Sequence, residues 1–141
     1  MDIIKDNKKL LLFDQKTERL LFRKLEQKDF DEWLKFCEDA NSLKYIWLTD
    51  NDSAIEKCQV WFARVFNRYN NNLGGMNALI EKNNNEFVGQ CGLLIHTVDG
   101  IEELEIGYSI MPEFFAADRP LFFAAMIFVL FDLVQLFQKH F

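Results

Sequence analysis

The sequence predicts an α/β (α+β) fold, a mixed and largely antiparallel sheet flanked by helices. Three observations lead there. Two stretches with a 3.6-residue apolar rhythm begin at helix-capping residues in the first half of the chain. Three strand-like stretches then follow one another, separated by tight-turn signals that suit a meander. No repeat and no Pro/Ser-rich linker divides the 141 residues, a length that suits one domain with a substantial core.

The elements follow in order. Leu20 to Leu25, LLFRKL, reads as a short first strand. Asp29 stands three residues before Glu32, a spacing in which the Asp carboxylate can accept from free N–H groups of a first helical turn. Phe30, Trp33, Leu34 and Cys37 then form one apolar face, and the helix is expected to fade between Ala40 and Ser42. Ser53-Ala-Ile-Glu56 is a capping box that opens a second helix, whose apolar face comprises Ile55, Cys58, Phe62, Val65, Phe66 and Tyr69. NNNLGG at 70–75 ends it, because Asn and Gly accept the left-handed conformation. Strands are expected over 76–82, 86–98 and 101–111, with NNN and Asp99-Gly100 as the turns.

Composition narrows the function. The net charge is −6, which argues against nucleic acid and anionic membranes as partners, since both demand clustered Lys and Arg. An acidic surface serves solubility and also suits a cationic ligand such as an amine. Cys37, Cys58 and Cys91 form neither a CxxC motif nor a Cys/His cluster, so no metal site is expected; free thiols point to a cytoplasmic setting. The N-terminus shows no apolar stretch followed by a cleavage site, so no secretory signal is expected.

Three strings carry a family resemblance. TERLLFRKLEQKD (17–29), FVGQCGL (87–93) and EIGYSIMPEF (105–114) resemble, in that order, the first, third and fourth strands of GNAT acetyltransferases. The similarity is greatest to the branch that acetylates the N-termini of ribosomal proteins. It spans residues 17 to about 115, and the string after Glu105 is its most specific part. The resemblance implies transfer of an acetyl group from acetyl-CoA to a primary amine, with no metal. An ammonium has no lone pair with which to attack, so a carboxylate commonly takes its proton. Glu105, where many members carry an acidic group on the fourth strand, is the candidate base. Glu103, on the same face by the two-residue period, is the reserve. Both also read as ordinary solvent-facing strand carboxylates. Ser109, Ile110 and Met111 match the place where the family offers backbone to the pantetheine arm.

Other residues read as structural. His96 lies on a strand among Leu94, Ile95 and Val98, and a structural role is expected for it despite the ability of His to act as a base. His140 is expected to be exposed. Trp33, Trp47 and Trp61 are expected in the core or lining an acceptor pocket.

The resemblance ends after Phe114. A glycine-rich pyrophosphate turn is expected there, but Ala116 and Asp118 occupy its glycine positions, and Asp118 sets a carboxylate where a pyrophosphate would bind. Arg119 partly offsets that charge, and Pro120 suits a first helical turn. No pyrophosphate role is assigned to these residues. Eight of the 15 Phe lie between Phe114 and Phe141, and residues 121–131 form an unbroken apolar run. A bilayer span takes about 20 residues, so a buried helix is expected rather than a membrane anchor. The family would continue with further strands and a helix carrying a thiol-protonating Tyr, so the domain is expected to be truncated, its C-terminal part missing after residue 115. The fourth strand would then be an exposed edge. Two alternatives to an active enzyme follow. One is an inactive GNAT-like protein or interaction module, with a homodimer formed through the fourth strand or the Phe-rich tail. The other, a tail-anchored membrane protein, is weaker. The identity of the acceptor amine stays open.

Overall fold

The computed structural model describes residues 11–13, 15–44, 46 and 52–115. Four strands, β1 (Leu20–Lys24), β2 (Gly74–Glu81), β3 (Phe87–Val98) and β4 (Ile101–Ile110), form one sheet in the order β1-β2-β3-β4. Every neighbouring pair is antiparallel. The helices lie between β1 and β2 in sequence: α1 (Phe30–Glu38), the short α2 (Ala40–Leu43) and α3 (Ala54–Asn70). A 3-10 turn, Gln27–Asp29, precedes α1, and another, Pro112–Phe115, follows β4. The mixed architecture and the antiparallel sheet are those the sequence predicts.

The core forms where the apolar helix faces meet the sheet. Trp33 of α1 is fully buried and stacks on Phe36, ring centroids 4.2 Å apart, with Trp61 of α3 at 5.2 Å and Phe87 of β3 at 6.3 Å. A buried Trp of this kind is worth about 3–5 kcal/mol against Ala. Cys58, Phe62 and Val65 supply the buried stripe of α3. Ile55, expected on that stripe, is instead 52% exposed. It lies in the first turn of the helix, where the apolar face has not yet reached the sheet.

The helix starts differ in their chemistry. Ser53 Oγ accepts from Glu56 N at 3.2 Å, and Glu56 Oε2 accepts from Ser53 N at 3.2 Å, so the capping box at 53–56 forms as expected. Asp29 does not act as the expected cap with Glu32. Its carboxylate takes a two-pronged bond from Arg23, at 2.7 and 2.8 Å, and a third from Glu26 N at 2.9 Å. A guanidinium fork outcompetes a single backbone donor. Glu32 pairs with Lys35 at 2.9 Å. The first helix also ends differently: Asp39 is extended, and its side chain caps the extra turn α2 by accepting from Ser42 N.

Turns follow the sequence more closely. Asp99 and Gly100 have φ of 50° and 78°, the two left-handed residues of a tight hairpin turn. That turn sets Val98 opposite Ile101 and fixes the register of the whole β3–β4 pair. At the end of α3, Asn72 (φ 58°) takes the left-handed conformation.

All three cysteines are free and buried. Cys37 of α1 and Cys58 of α3, far apart in sequence, meet in the core, and the hydrogen bond to Cys37 together with burial pushes the Cys58 thiol up. Among the described residues no helix is long and apolar enough to cross a membrane, and no group of three potential ligands is placed to hold a metal. Trp47, Ala116, Asp118, Arg119, Pro120, the run at 121–131 and His140 lie outside the described residues.

Candidate active site

A cavity of about 1060 Å³ opens between the end of α1, the turn α2, one face of α3 and the β3–β4 hairpin. Helical spacing explains its upper wall: Trp61, Arg64 and Arg68 stand three and four residues apart, so one face of α3 presents all three. Strand spacing explains its floor. Glu105, Gly107 and Ser109 alternate onto the helix-facing side of β4, beside Leu94 and His96 of β3. Gly107 keeps the floor open, since a Cβ there would lie 3.0 Å from Met76 Sδ and 3.1 Å from Leu94 Cδ1.

The polar centre of the cavity is a chain of three side chains. His96 Nε2 lies 3.0 Å from Glu105 Oε2. Arg68 Nη2 lies 3.3 Å from His96 Nδ1 and 3.4 Å from Nε2. Arginine can only donate and an ionised carboxylate can only accept. The ring therefore donates Nε2–H to Glu105, while the guanidinium, nearly equidistant from both ring nitrogens, stands against the face of the ring. Glu105 lines the cavity on a side chain that is 62% exposed. Arg68 is anchored by its Nη1, which donates to Leu73 O at 3.2 Å and Ile95 O at 3.1 Å. Burial pulls its guanidinium pKa down, and the charge of Glu105 opposes that shift.

The candidate site residues separate along β4. Glu105, Ser109 and Ile110 line the cavity. Glu103, directly opposite His96 in the register, is exposed and does not line it. Met111 is fully buried and donates its N–H to Val88 O at 2.9 Å. That bond sets the alternation of the strand pair: the odd-numbered residues of β4 bond to β3, while Ile106, Tyr108 and Ile110 turn N–H and C=O away from it. Among the described residues no strand pairs with that outer edge. Of Ser109, Ile110 and Met111, it is Ile110 whose backbone groups face this outer edge. Gly89 fixes where this edge lies. A Cβ at Gly89 would fall 2.3 Å from Ser109 O, so β4 approaches β3 this closely only over glycine.

Trp61 lines the cavity and donates its Nε1–H to Gln90 Oε1 at 3.1 Å, while Trp33 stays in the core. His96, expected from the sequence to be structural, and Arg68, not singled out there, both belong to this cavity. A signal for His96 existed: a two-residue Asp-Gly turn after Val98 places residue 96 across from 103 and diagonal to 105. Arg68 had none, because nothing in sequence shows which residues of β3 meet the end of α3.

Comparison with known proteins agrees with the fold. The family model described as an acetyltransferase (GNAT) domain matches residues 19–118. The crystal structure of an acetyltransferase of the GNAT family from Bacillus anthracis is similar, with 27% sequence identity and a TM-score of 0.51. The match covers 71% of this chain and 54% of that one, so this chain spans about half the length of that protein. Curated proteins give no match. With the family model matching residues 19–118, most of the chain, the protein belongs to the GNAT acetyltransferase family.

Proposed function

We propose that this protein transfers an acetyl group from acetyl-CoA to a primary amine, with Glu105 as the base. One observation carries the reading: Glu105 and Ile110, whose backbone faces away from β3, line a single cavity. Acetyl-CoA supplies the activated acyl group when bound. Ile106 and Ile110 offer the backbone edge along which its amide-bearing arm is held. Glu105 accepts one proton from the ammonium, and His96 holds the carboxylate in place through its Nε2–H. The amine forms a C–N bond as the C–S bond breaks. Its second proton goes to the departing thiolate, and the proton held by Glu105 returns to water. The resemblance of the three strand strings supports protein N-termini, such as those of ribosomal proteins, as one acceptor class, and the free thiols support a cytoplasmic setting.

The test is direct. Acetyl-CoA should raise the melting temperature, as a ligand that binds only the folded state must. Free coenzyme A thiol should then appear only when an amine is added. No thermal shift at millimolar acetyl-CoA would sink the reading.

A second reading has its own support. The outer edge of β4 carries exposed apolar side chains, Ile106 at 40% and Tyr108 at 52%, which suits pairing with a second copy of the chain. Light scattering on the purified protein decides it, and a clean monomer removes self-association through this edge.

A further inference from the structure

The cavity is not built for a simple cation. Although the protein as a whole is acidic, α3 turns two arginines, Arg64 and Arg68, into the same space as Glu105. Arg68 is the more telling of the two. Its hydrogen-bond partners are Leu73 O, Ile95 O and the His96 ring, and among the described residues no carboxylate lies within ion-pair distance of it. A half-buried guanidinium held by backbone carbonyls and an imidazole, with no carboxylate paired to it, retains charge for an anion.

The position of Arg68 says whose anion that is. The acyl donor is expected along Ile106–Ile110. Arg68 sits at the level of His96, which pairs with Glu103, and so lies beyond Glu105 as seen from Ser109. From Ser109 to Glu105 is already four strand residues, about 13 Å. An anion at Arg68 therefore belongs to the acceptor. One imidazole separates the guanidinium from the Glu105 carboxylate, since His96 touches both. This spacing suits a short molecule with an ammonium at one end and a carboxylate at the other.

We propose, building on the acyl-transfer reading, that the acceptor is a short amino acid, its amine at Glu105 and its carboxylate at Arg68. The paired charges of the site then match those of the ligand in sign and order. A polyamine would set a second cation against Arg68, which works against its binding.

Matched acceptors test this on the full chain. β-Alanine should be acetylated with a kcat/KM about tenfold or more above that of propylamine, as should γ-aminobutyrate above butylamine, because only the acids make the charge-assisted pair. Arg68→Lys keeps the charge but not the fork, and should narrow that ratio without changing the rate with propylamine in the same proportion. Equal rates for acid and plain amine, or preference for spermidine, overturn the proposal while leaving acyl transfer standing. If acetyl-CoA neither binds nor reacts with any amine, the acyl-transfer reading fails, and calorimetric titration of β-alanine still decides the acceptor site. Saturable binding that Arg68→Met abolishes, in a variant that melts cooperatively, supports the site; no binding to the wild-type protein overturns it. Should Arg68→Met fail to fold, the wild-type comparison and Arg68→Lys carry the test.

Discussion

His96 Nε2 binds Glu105 Oε2 at 3.0 Å, although Glu103 is its direct cross-strand neighbour. The diagonal partner wins because Glu105 faces the cavity beneath Arg68, while Glu103 lies out in solvent near the hairpin turn. Two carboxylates on the same strand face thus have different surroundings. The first prediction tests that difference: Glu105→Gln should lower kcat by about a hundredfold or more, the usual loss for a general base, with acetyl-CoA binding retained. Glu103→Gln is the comparison. If it costs as much as Glu105→Gln, the base is wrongly placed.

Gly89 controls the position of the outer edge of β4, the proposed donor edge, without lining the cavity. In Gly89→Ala the new methyl would meet Ser109 O and Ile110 Cα, so β4 must move outward there. Acetyl-CoA affinity, read by calorimetry, should fall together with thermal stability. A stable variant with unchanged affinity would detach this edge from donor binding.

Tyr69 gives a pH dependence that has nothing to do with catalysis. Its hydroxyl accepts from Leu25 N at 3.1 Å and donates to Met76 O, joining the end of α3 to β1 and β2. Burial pushes its pKa up to about 12. Between pH 10 and 12 the folded protein therefore holds a proton that the unfolded chain has released, and stability falls as pH rises through this window. The loss should be about 2–3 kcal/mol. Tyr69→Phe should be less stable at pH 7 by about 1–3 kcal/mol, because it leaves a buried donor and acceptor unmet, and it should lack this alkaline component. Urea melts at pH 8, 10 and 11.5 compare the two.

Two local contacts fix the frame around the site. Ser53→Ala removes the cap of α3 and should cost about 1 kcal/mol. Asp29→Ala leaves Arg23 without its forked partner and should cost about 3 kcal/mol, the low end for a buried pair because Arg23 is partly exposed. Chemical denaturation measures both. A larger loss at Ser53 than at Asp29 would make the cap, not the ion pair, the stronger of the two contacts.

Much of this was legible in the chain itself. The 53–56 capping box and the Asp99-Gly100 turn each state a backbone geometry in two to four neighbouring residues, and both form as read. Asp29 misled because its spacing to Glu32 fits a cap, while the competing donor, Arg23, lies on the preceding strand and approaches only after folding. Ile55 misled because periodicity tells which face a residue shares, not how far the sheet extends beneath it. For the site, the strand period placed Glu103 and Glu105 on one face, but nothing local distinguished the one under α3.

The order of the elements, the antiparallel meander, the turns and the family can be read along the chain, because each is written in short-range spacing or contiguous strings. Tertiary structure alone decided that His96 and Arg68 join Glu105, that Ile110 turns its backbone outward, and that two arginines enter an otherwise acidic protein's cavity. Those relationships depend on how α3 crosses the sheet. That crossing is set by the packing of Trp33, Trp61 and Phe62 against Phe87 and their neighbours, contacts between segments far apart in the chain.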